Sequence, residues 1–208
     1  MAPLRIAIFA SGSGSNFQAI VDAVTAGKLE ATVELLVCDR PKARVVERAG
    51  RAGIRAHVFR PKEYASKEAY ETEIAALLAE LGVELIVLAG YMRIITDTLL
   101  APYEGRMINV HPSLLPAFPG VNAIGQAWDH GVKLTGVTVH VVDGGLDSGP
   151  IIAQRAVPIR EEDTLETLEA AIHATEHELL PQVIGWVQAG RVRLDGRHVR
   201  IEEATKPQ

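Results

Sequence analysis

The sequence predicts an α/β fold: a mostly parallel, twisted central sheet with helices on both faces and a short C-terminal hairpin. Three observations point there. Apolar runs of strand length alternate with longer segments of helical periodicity, the pattern that builds parallel sheets through crossover helices. The first run, Leu4 to Ala10, passes directly into a glycine-rich turn and then a helical segment. The run Leu85 to Ala89 is apolar throughout, as a central strand covered on both faces requires.

The chain has 208 residues, 48% of them apolar and 23% charged, and no linker-like tract divides it, so one domain over residues 1–208 is expected. A formal charge of -5 argues against a nucleic-acid scaffold or a membrane-surface binder, although it does not describe the field inside a cleft. Cys38 is the only cysteine, which rules out an internal disulfide and a thiolate metal cluster and fits a reducing compartment. The apolar run after Arg5 breaks at Ser11-Gly12, a length that suits a strand and is short for a signal peptide. A cytoplasmic protein is expected.

Taking the chain in order, Ser11 to Asn16 follows the first strand, and Phe17, Ile20, Val21 and Val24 set a helical period that ends near Gly27. Strand, glycine loop and helix form a cradle in which exposed helix N–H groups can meet an anion. The dinucleotide fingerprint is incomplete, because Phe17 stands where a third glycine is wanted, and the Lys-Ser/Thr pair of a mononucleotide loop is missing. The alternatives are an anion-binding loop and a plain turn with a helix cap. Val33 to Val37 reads as the second strand, Ala43 to Ala52 as a helix, and Asp39 between them as a turn or capping residue. A short strand near Ala56 to Phe59 leads to an amphipathic helix over Lys62 to Leu81, closed by Gly82. Lys67 lies on its charged side, either solvated or in distant contact with a bound anion.

Gly90-Tyr91-Met92-Arg93 leaves the Leu85 to Ala89 strand at its carboxyl end, where open α/β sheets place ligand crevices. Met92 and Ile94 serve there either as an apolar wall for a flat ring or as core. Arg93 stays protonated and so orients carboxylates or carbonyls rather than moving a proton. Thr96 to Leu100 suits a short helix, and Asn122 to His130 another, stopped by Gly131.

Between them lies the stretch from Met107 to Gly120. Met107 to His111 reads as a buried strand whose two-residue period puts Asn109 and His111 on one face and Ile108 and Val110 on the other. Pro112, Pro116 and Pro119 then force an irregular path. An amide that can donate to an oxyanion and an imidazole that can carry a proton thus sit side by side; the bland alternative is a capping asparagine and a loop histidine. Val137 to Val142 alternates around Thr138 and His140, and His140 is either support for the site or strand packing. The breaker-rich turn Asp143 to Pro150 can hold Asp147 in a fixed place. Ile151 to Val157 supplies a further strand, and Asp163-Thr164-Leu165 opens a long helix in which Glu176 either reaches a ligand hydroxyl or is solvated. The tail forms a hairpin with its turn at Asp195-Gly196 and frays toward Gln208.

Four of these segments together resemble the phosphoribosylglycinamide formyltransferase family, the folate-dependent transformylases of purine biosynthesis in the formyltransferase superfamily. They are Ser11-Gly-Ser-Gly-Ser-Asn16, Asn109-Val-His-Pro-Ser-Leu-Leu-Pro116, Gly144-Gly-Leu-Asp-Ser-Gly-Pro150 and Thr175-Glu-His-Glu178. The resemblance covers almost the whole chain and implies a Rossmann-like formyltransferase fold, with residues 1–100 as a phosphate-binding half and 101–208 as a catalytic and folate-binding half. It implies transfer of the formyl group of 10-formyltetrahydrofolate, as co-substrate, to the primary amine of 5-phosphoribosylglycinamide through a tetrahedral intermediate, without metal. By the same resemblance Asn109, His111 and Asp147 are catalytic. Gly12, Ser13, Gly14, Ser15 and Asn16 hold the substrate phosphate, Lys67, at a family helix position that is often arginine, is a further substrate-binding residue, and Glu176 accepts from the ribose hydroxyls. Met92, Arg93 and Ile94, with Val142, Asp143, Gly144, Gly145, Leu146 and Asp147, resemble the family's pterin-binding walls. The implied partners are small molecules, with no nucleic acid or membrane, and the implied state is a monomer or weak homodimer.

Within the superfamily, enzymes that formylate methionyl-tRNA usually carry a further C-terminal barrel, for which the chain after His111 leaves little room. Formyltetrahydrofolate hydrolases share the core and usually carry a regulatory domain ahead of it. Hydrolysis of formyltetrahydrofolate is therefore the second reading. A nucleotide-binding regulatory protein is the third; it leaves Asn109, His111 and the Asp147 turn without a role.

Overall fold

The computed structural model describes residues 2–203. Its main sheet has seven strands in the order β3-β2-β1-β4-β5-β6-β7. The strands are β1 Leu4–Phe9, β2 Ala31–Cys38, β3 Ala56–Val58, β4 Leu85–Leu88, β5 Met107–His111, β6 Leu134–Val141 and β7 Ile151–Pro158. The pairs from β3 through β5 are parallel, whereas β5–β6 and β6–β7 are antiparallel. Since β2 lies on one side of β1 and β4 on the other, the chain reverses its winding beside β1, which is where a crevice opens beyond the carboxyl ends of the strands.

The helices are α1 Ser15–Thr25, α2 Arg44–Arg51, α3 Lys67–Glu80, α4 Asp97–Leu100, α5 Ala123–His130 and α6 Leu165–Gln188. One core, on the side of α1, α2 and α6, gathers Ile6, Ile8, Phe17, Ile20, Val87, Val139, Ile172 and Leu180. The other, on the side of α3 and α4, gathers Ala7, Phe9, Ile74, Leu78, Ile86 and Leu99. Alternate residues of β1 and β4 divide between the two, so both strands are covered on both faces and read as unbroken apolar runs. Leu165–Gln188 opens with a capping box in which Thr164 and Thr167 bond reciprocally, and it carries Pro181 inside. No helix among the described residues is long and apolar enough to cross a membrane.

Three expectations need correction. The helix expected from Lys62 begins at Lys67; Pro61–Glu63 forms a separate 3-10 turn, because Ser66 is extended and its hydroxyl accepts from the Ala69 N–H at 3.2 Å. Asp39 sits in the bend after β2, as a turn residue, but caps no helix: it is 4% exposed and bonded to Ser11 and Arg93. In the terminal hairpin, β8 Val192–Asp195 and β9 His198–Ile201, Asp195 pairs with His198, so the turn residues are Gly196 and Arg197. The frayed end expected toward Gln208 lies outside the described residues.

Candidate active site

The pleat of β5 turns Asn109 and His111 to one face, and antiparallel pairing sets Asn109 opposite His140 and His111 opposite Thr138. Asn109 Nδ2 lies 3.1 Å from His140 Nε2, and His140 Nδ1 lies 2.9 Å from the Val141 carbonyl. A carbonyl can only accept, so Nδ1 carries the proton and Nε2 accepts from the Asn109 amide. Burial lowers the His140 pKa, against opposing contributions from the Val141 bond and Asp147, which favours this neutral form.

Asp147 closes the cluster. Its Oδ1 lies 3.5 Å from Asn109 Nδ2, and its Oδ2 accepts from the Gly120 N–H at 2.7 Å and sits 3.5 Å from His111 Nδ1. His111 Nε2 donates to the Phe118 carbonyl at 2.8 Å, so Nδ1 is the edge turned to Asp147. Asp147 takes a left-handed backbone, φ 49°. The turn that imposes it is held from within: Asp143 Oδ1 accepts from the Gly145 N–H at 3.0 Å and the Ser148 hydroxyl at 2.7 Å. Gly149 is obligatory here, since a Cβ would stand 1.8 Å from the Val141 carbonyl oxygen.

The loop after β5 is equally constrained. The buried Thr138 hydroxyl donates to the Ser113 carbonyl at 2.7 Å and accepts from the Leu115 N–H at 3.1 Å, and Gln154 Nε2 donates to the Leu115 carbonyl at 2.8 Å. The Leu115–Pro116 peptide is cis.

At the other end of the same crevice, Gly14 precedes α1 with φ 73°, and a Cβ there would come within 2.5 Å of Val45 Cγ2. The carbonyls of Gly12 and Ser13 accept from Val45 N and Arg48 Nε, at 3.2 and 2.9 Å, and so turn toward α2. The first-turn N–H groups of α1 have no partner within the helix, and Gly12 to Asn16 line the cleft. Asn16 Nδ2 donates to Glu176 Oε2 at 2.9 Å. Glu176 is 5% exposed, so the solvated reading of this residue falls; burial raises its pKa, opposed by the Asn16 bond and by His173.

One cleft of about 480 Å³ is lined by Gly12, Ser13, Gly14, Ser15 and Asn16, by Met92, Arg93 and Ile94, by Asn109, His111 and Asp147, and by Glu176. Met92 and Ile94 are 57% and 66% exposed, which removes the reading of them as core. Val142, Asp143 and Gly144 instead line a second cavity of about 480 Å³ together with Leu100 and Leu194. The residues expected to bind folate are therefore divided between two cavities, with Gly145 and the exposed Leu146 on the turn that joins them. Lys67 is exposed at the start of α3 and does not line the cleft. Glu169 and His173, which the sequence reading passed over, do; they lie seven and three residues before Glu176 on α6, a helical spacing that could have found them. Among the described residues no group of three or more His, Cys, Asp or Glu side chains is placed to hold a metal ion.

Residues 4–184 match the family model described as "Formyl transferase". The chain is 56% identical over 180 residues to a phosphoribosylglycinamide formyltransferase of Bacillus subtilis strain 168, covering 86% of this chain and 92% of that protein. It is 39% identical over 197 residues to the trifunctional purine biosynthetic protein adenosine-3 of Bos taurus, covering 95% of this chain but only 19% of that longer protein. The crystal structure of glycinamide ribonucleotide transformylase 1 from Symbiobacterium toebii superposes with a TM-score of 0.94 at 45% identity, over 97% of this chain and 95% of that one.

Proposed function

The chain belongs to the formyl transferase family, and from this and the geometry of its cleft we infer that it transfers the formyl group of 10-formyltetrahydrofolate to the primary amine of 5-phosphoribosylglycinamide. The observation that carries the reading is that an anion cradle at Gly12 to Asn16 and a polar cluster of Asn109, His111 and Asp147 line one cleft. A phosphorylated amine held at the first can present its nitrogen to a carbonyl held at the second, which turns a bimolecular encounter into an effectively intramolecular attack.

In this scheme the first-turn N–H groups of α1 take the phosphate and Glu176 accepts from the ribose hydroxyls. Met92 and Ile94 cover one side of the folate ring system, and the Asp147 end of the 142–147 turn, which lines the same cleft, reads its polar edge, while Val142, Asp143 and Gly144 face the neighbouring cavity. The amine nitrogen bonds to the formyl carbon and the carbonyl oxygen becomes an alkoxide. Asn109 donates to that oxygen, its amide already oriented by His140. His111, when Nδ1 is protonated, adds positive charge beside it. Asp147 then passes the amine proton toward the folate nitrogen, whose bond to the formyl carbon breaks as the proton arrives. These steps use side chains of one chain, so a monomer suffices and a weak homodimer is compatible. The unpaired Cys38 supports a cytoplasmic setting.

The deciding assay follows 10-formyltetrahydrofolate with and without 5-phosphoribosylglycinamide. Turnover that depends on the amine is expected. Release of formate at the same rate without it would assign the site to hydrolysis instead.

A further inference from the structure

Two buried carboxylates outside the cleft grip the ends of one cleft-lining loop. Asp39, at the end of β2, has a fully buried side chain. Its Oδ1 accepts from the Ser11 hydroxyl at 2.5 Å, and its Oδ2 accepts from Arg93 Nε at 2.8 Å. Ser11 Oγ in turn accepts from the Met92 N–H at 2.9 Å. At the far end Glu71, on α3 and 1% exposed, accepts from the Thr96 N–H at 3.0 Å and from the Thr96 hydroxyl at 2.5 Å. The Thr96 hydroxyl also accepts from the Thr98 N–H at 3.3 Å and so caps α4.

Between these anchors Met92 and Ile94 are exposed. Side chains that face solvent have little packing to hold their backbone, and surface loops without anchors are mobile. Burying a carboxylate is costly unless hydrogen bonds replace its water. Both carboxylates find those bonds largely in this one loop or in Ser11, which holds it. We propose that Asp39 and Glu71 are positioning residues for the folate wall, fixing residues 92 and 93 and residue 96 so that Met92 and Ile94 are presented in one place. This rests on the reading of Met92 to Ile94 as a wall against folate. The linkage also runs through Ser11, the first residue of the phosphate loop, so the Asp39 anchor joins the two subsites mechanically.

The test uses Asp39→Asn and Glu71→Gln in the full chain. The asparagine can still accept from Ser11 through Oδ1 but turns an N–H toward Arg93, so the Arg93 anchor is lost and the wall keeps only the Met92 bond to Ser11 at this end, while the phosphate loop is kept. Each variant should raise KM for the folate co-substrate about tenfold and leave KM for the amine and the saturated kcat within about twofold. In the ligand-free protein, amide exchange at Met92 should quicken in Asp39→Asn, and at Thr96 in Glu71→Gln. Thermal melting checks that each variant folds, and the two carboxylates sit on separate elements, so one variant carries the test if the other does not fold. An unchanged folate KM in both variants would overturn the proposal, as would equal rises in both KM values. If the wild type does not turn over this substrate pair, the parent reading fails; the exchange rates still decide whether the carboxylates hold the loop.

Discussion

The amide of Asn109 is anchored by His140: Nδ2 lies 3.1 Å from Nε2 of a ring whose other nitrogen donates to the Val141 carbonyl. An oxyanion donor that is already oriented does not have to be organised as charge develops, and that preorganisation is where such donors gain their effect. It also makes the site sensitive to one proton.

His140 should therefore titrate below the ordinary ~6.5 of a histidine, since burial lowers its pKa. The unfolded chain takes up this proton first. The stability linked to His140 is accordingly present in full above the unfolded pKa and lost as pH falls through the lowered folded one. Protonated Nε2 no longer accepts from Asn109, so kcat should fall over the same acid limb. An NMR titration of the ring checks this; a midpoint at or above 6.5 would remove the explanation.

Replacing the donor itself is the sharper change. Asn109→Ala should lower kcat by about 10²–10³, roughly 3 kcal/mol in the transition state, with little change in either KM. A loss confined to KM, read from steady-state rates, would reduce Asn109 to a binding contact.

Glu176→Gln should raise KM for the amine about tenfold and leave folate binding alone. Burial raises the Glu176 pKa, so in the wild type that KM should climb as pH falls through a value above the ~4.3 of a free glutamate, and the climb should vanish in the variant. Because the charged carboxylate is the disfavoured form when buried, Glu176→Gln should melt no lower than wild type at neutral pH. An unchanged KM for the amine would return Glu176 to a structural bond with Asn16.

Much of this was legible in the sequence where one residue type admits one physical use. The unbroken apolar runs gave the strands, and the period of Met107 to His111 placed Asn109 and His111 on one face. What stayed hidden depended on partners far away in the chain. His140 could not be told from strand packing until β6 was seen to run antiparallel to β5, which sets it opposite Asn109. Glu176 looked like any mid-helix acid because its partner, Asn16, lies 160 residues away. Asp39 read as a turn or capping residue since nothing local reveals that Arg93 reaches it. Lys67 shows the reverse case: the resemblance made it a substrate-binding residue, and the structure places it exposed at the start of α3, outside the residues that line the cleft.

The proposed phosphate cradle at Gly12 to Asn16 has its own control. Gly14→Ala would force a Cβ against Val45 and strain a residue at φ 73°, a cost of at least about 1–2 kcal/mol from the left-handed backbone alone. KM for the amine should rise steeply and binding of inorganic phosphate should be lost. Retained phosphate binding, measured by calorimetry, would place the anion elsewhere.

The central claim is that Asp147 moves the amine proton, with Asn109 and His111 stabilising the oxygen beside it. It is tested most directly by the single-turnover rate of formyl transfer in Asp147→Asn, at saturating concentrations of both substrates, alongside the affinity of a folate analogue. The asparagine still offers an oxygen to the Gly120 N–H that Asp147 Oδ2 accepts from, so the analogue should bind within about threefold of wild type while transfer slows by about 10²–10⁴. Transfer at close to the wild-type rate, with binding intact, would contradict the account.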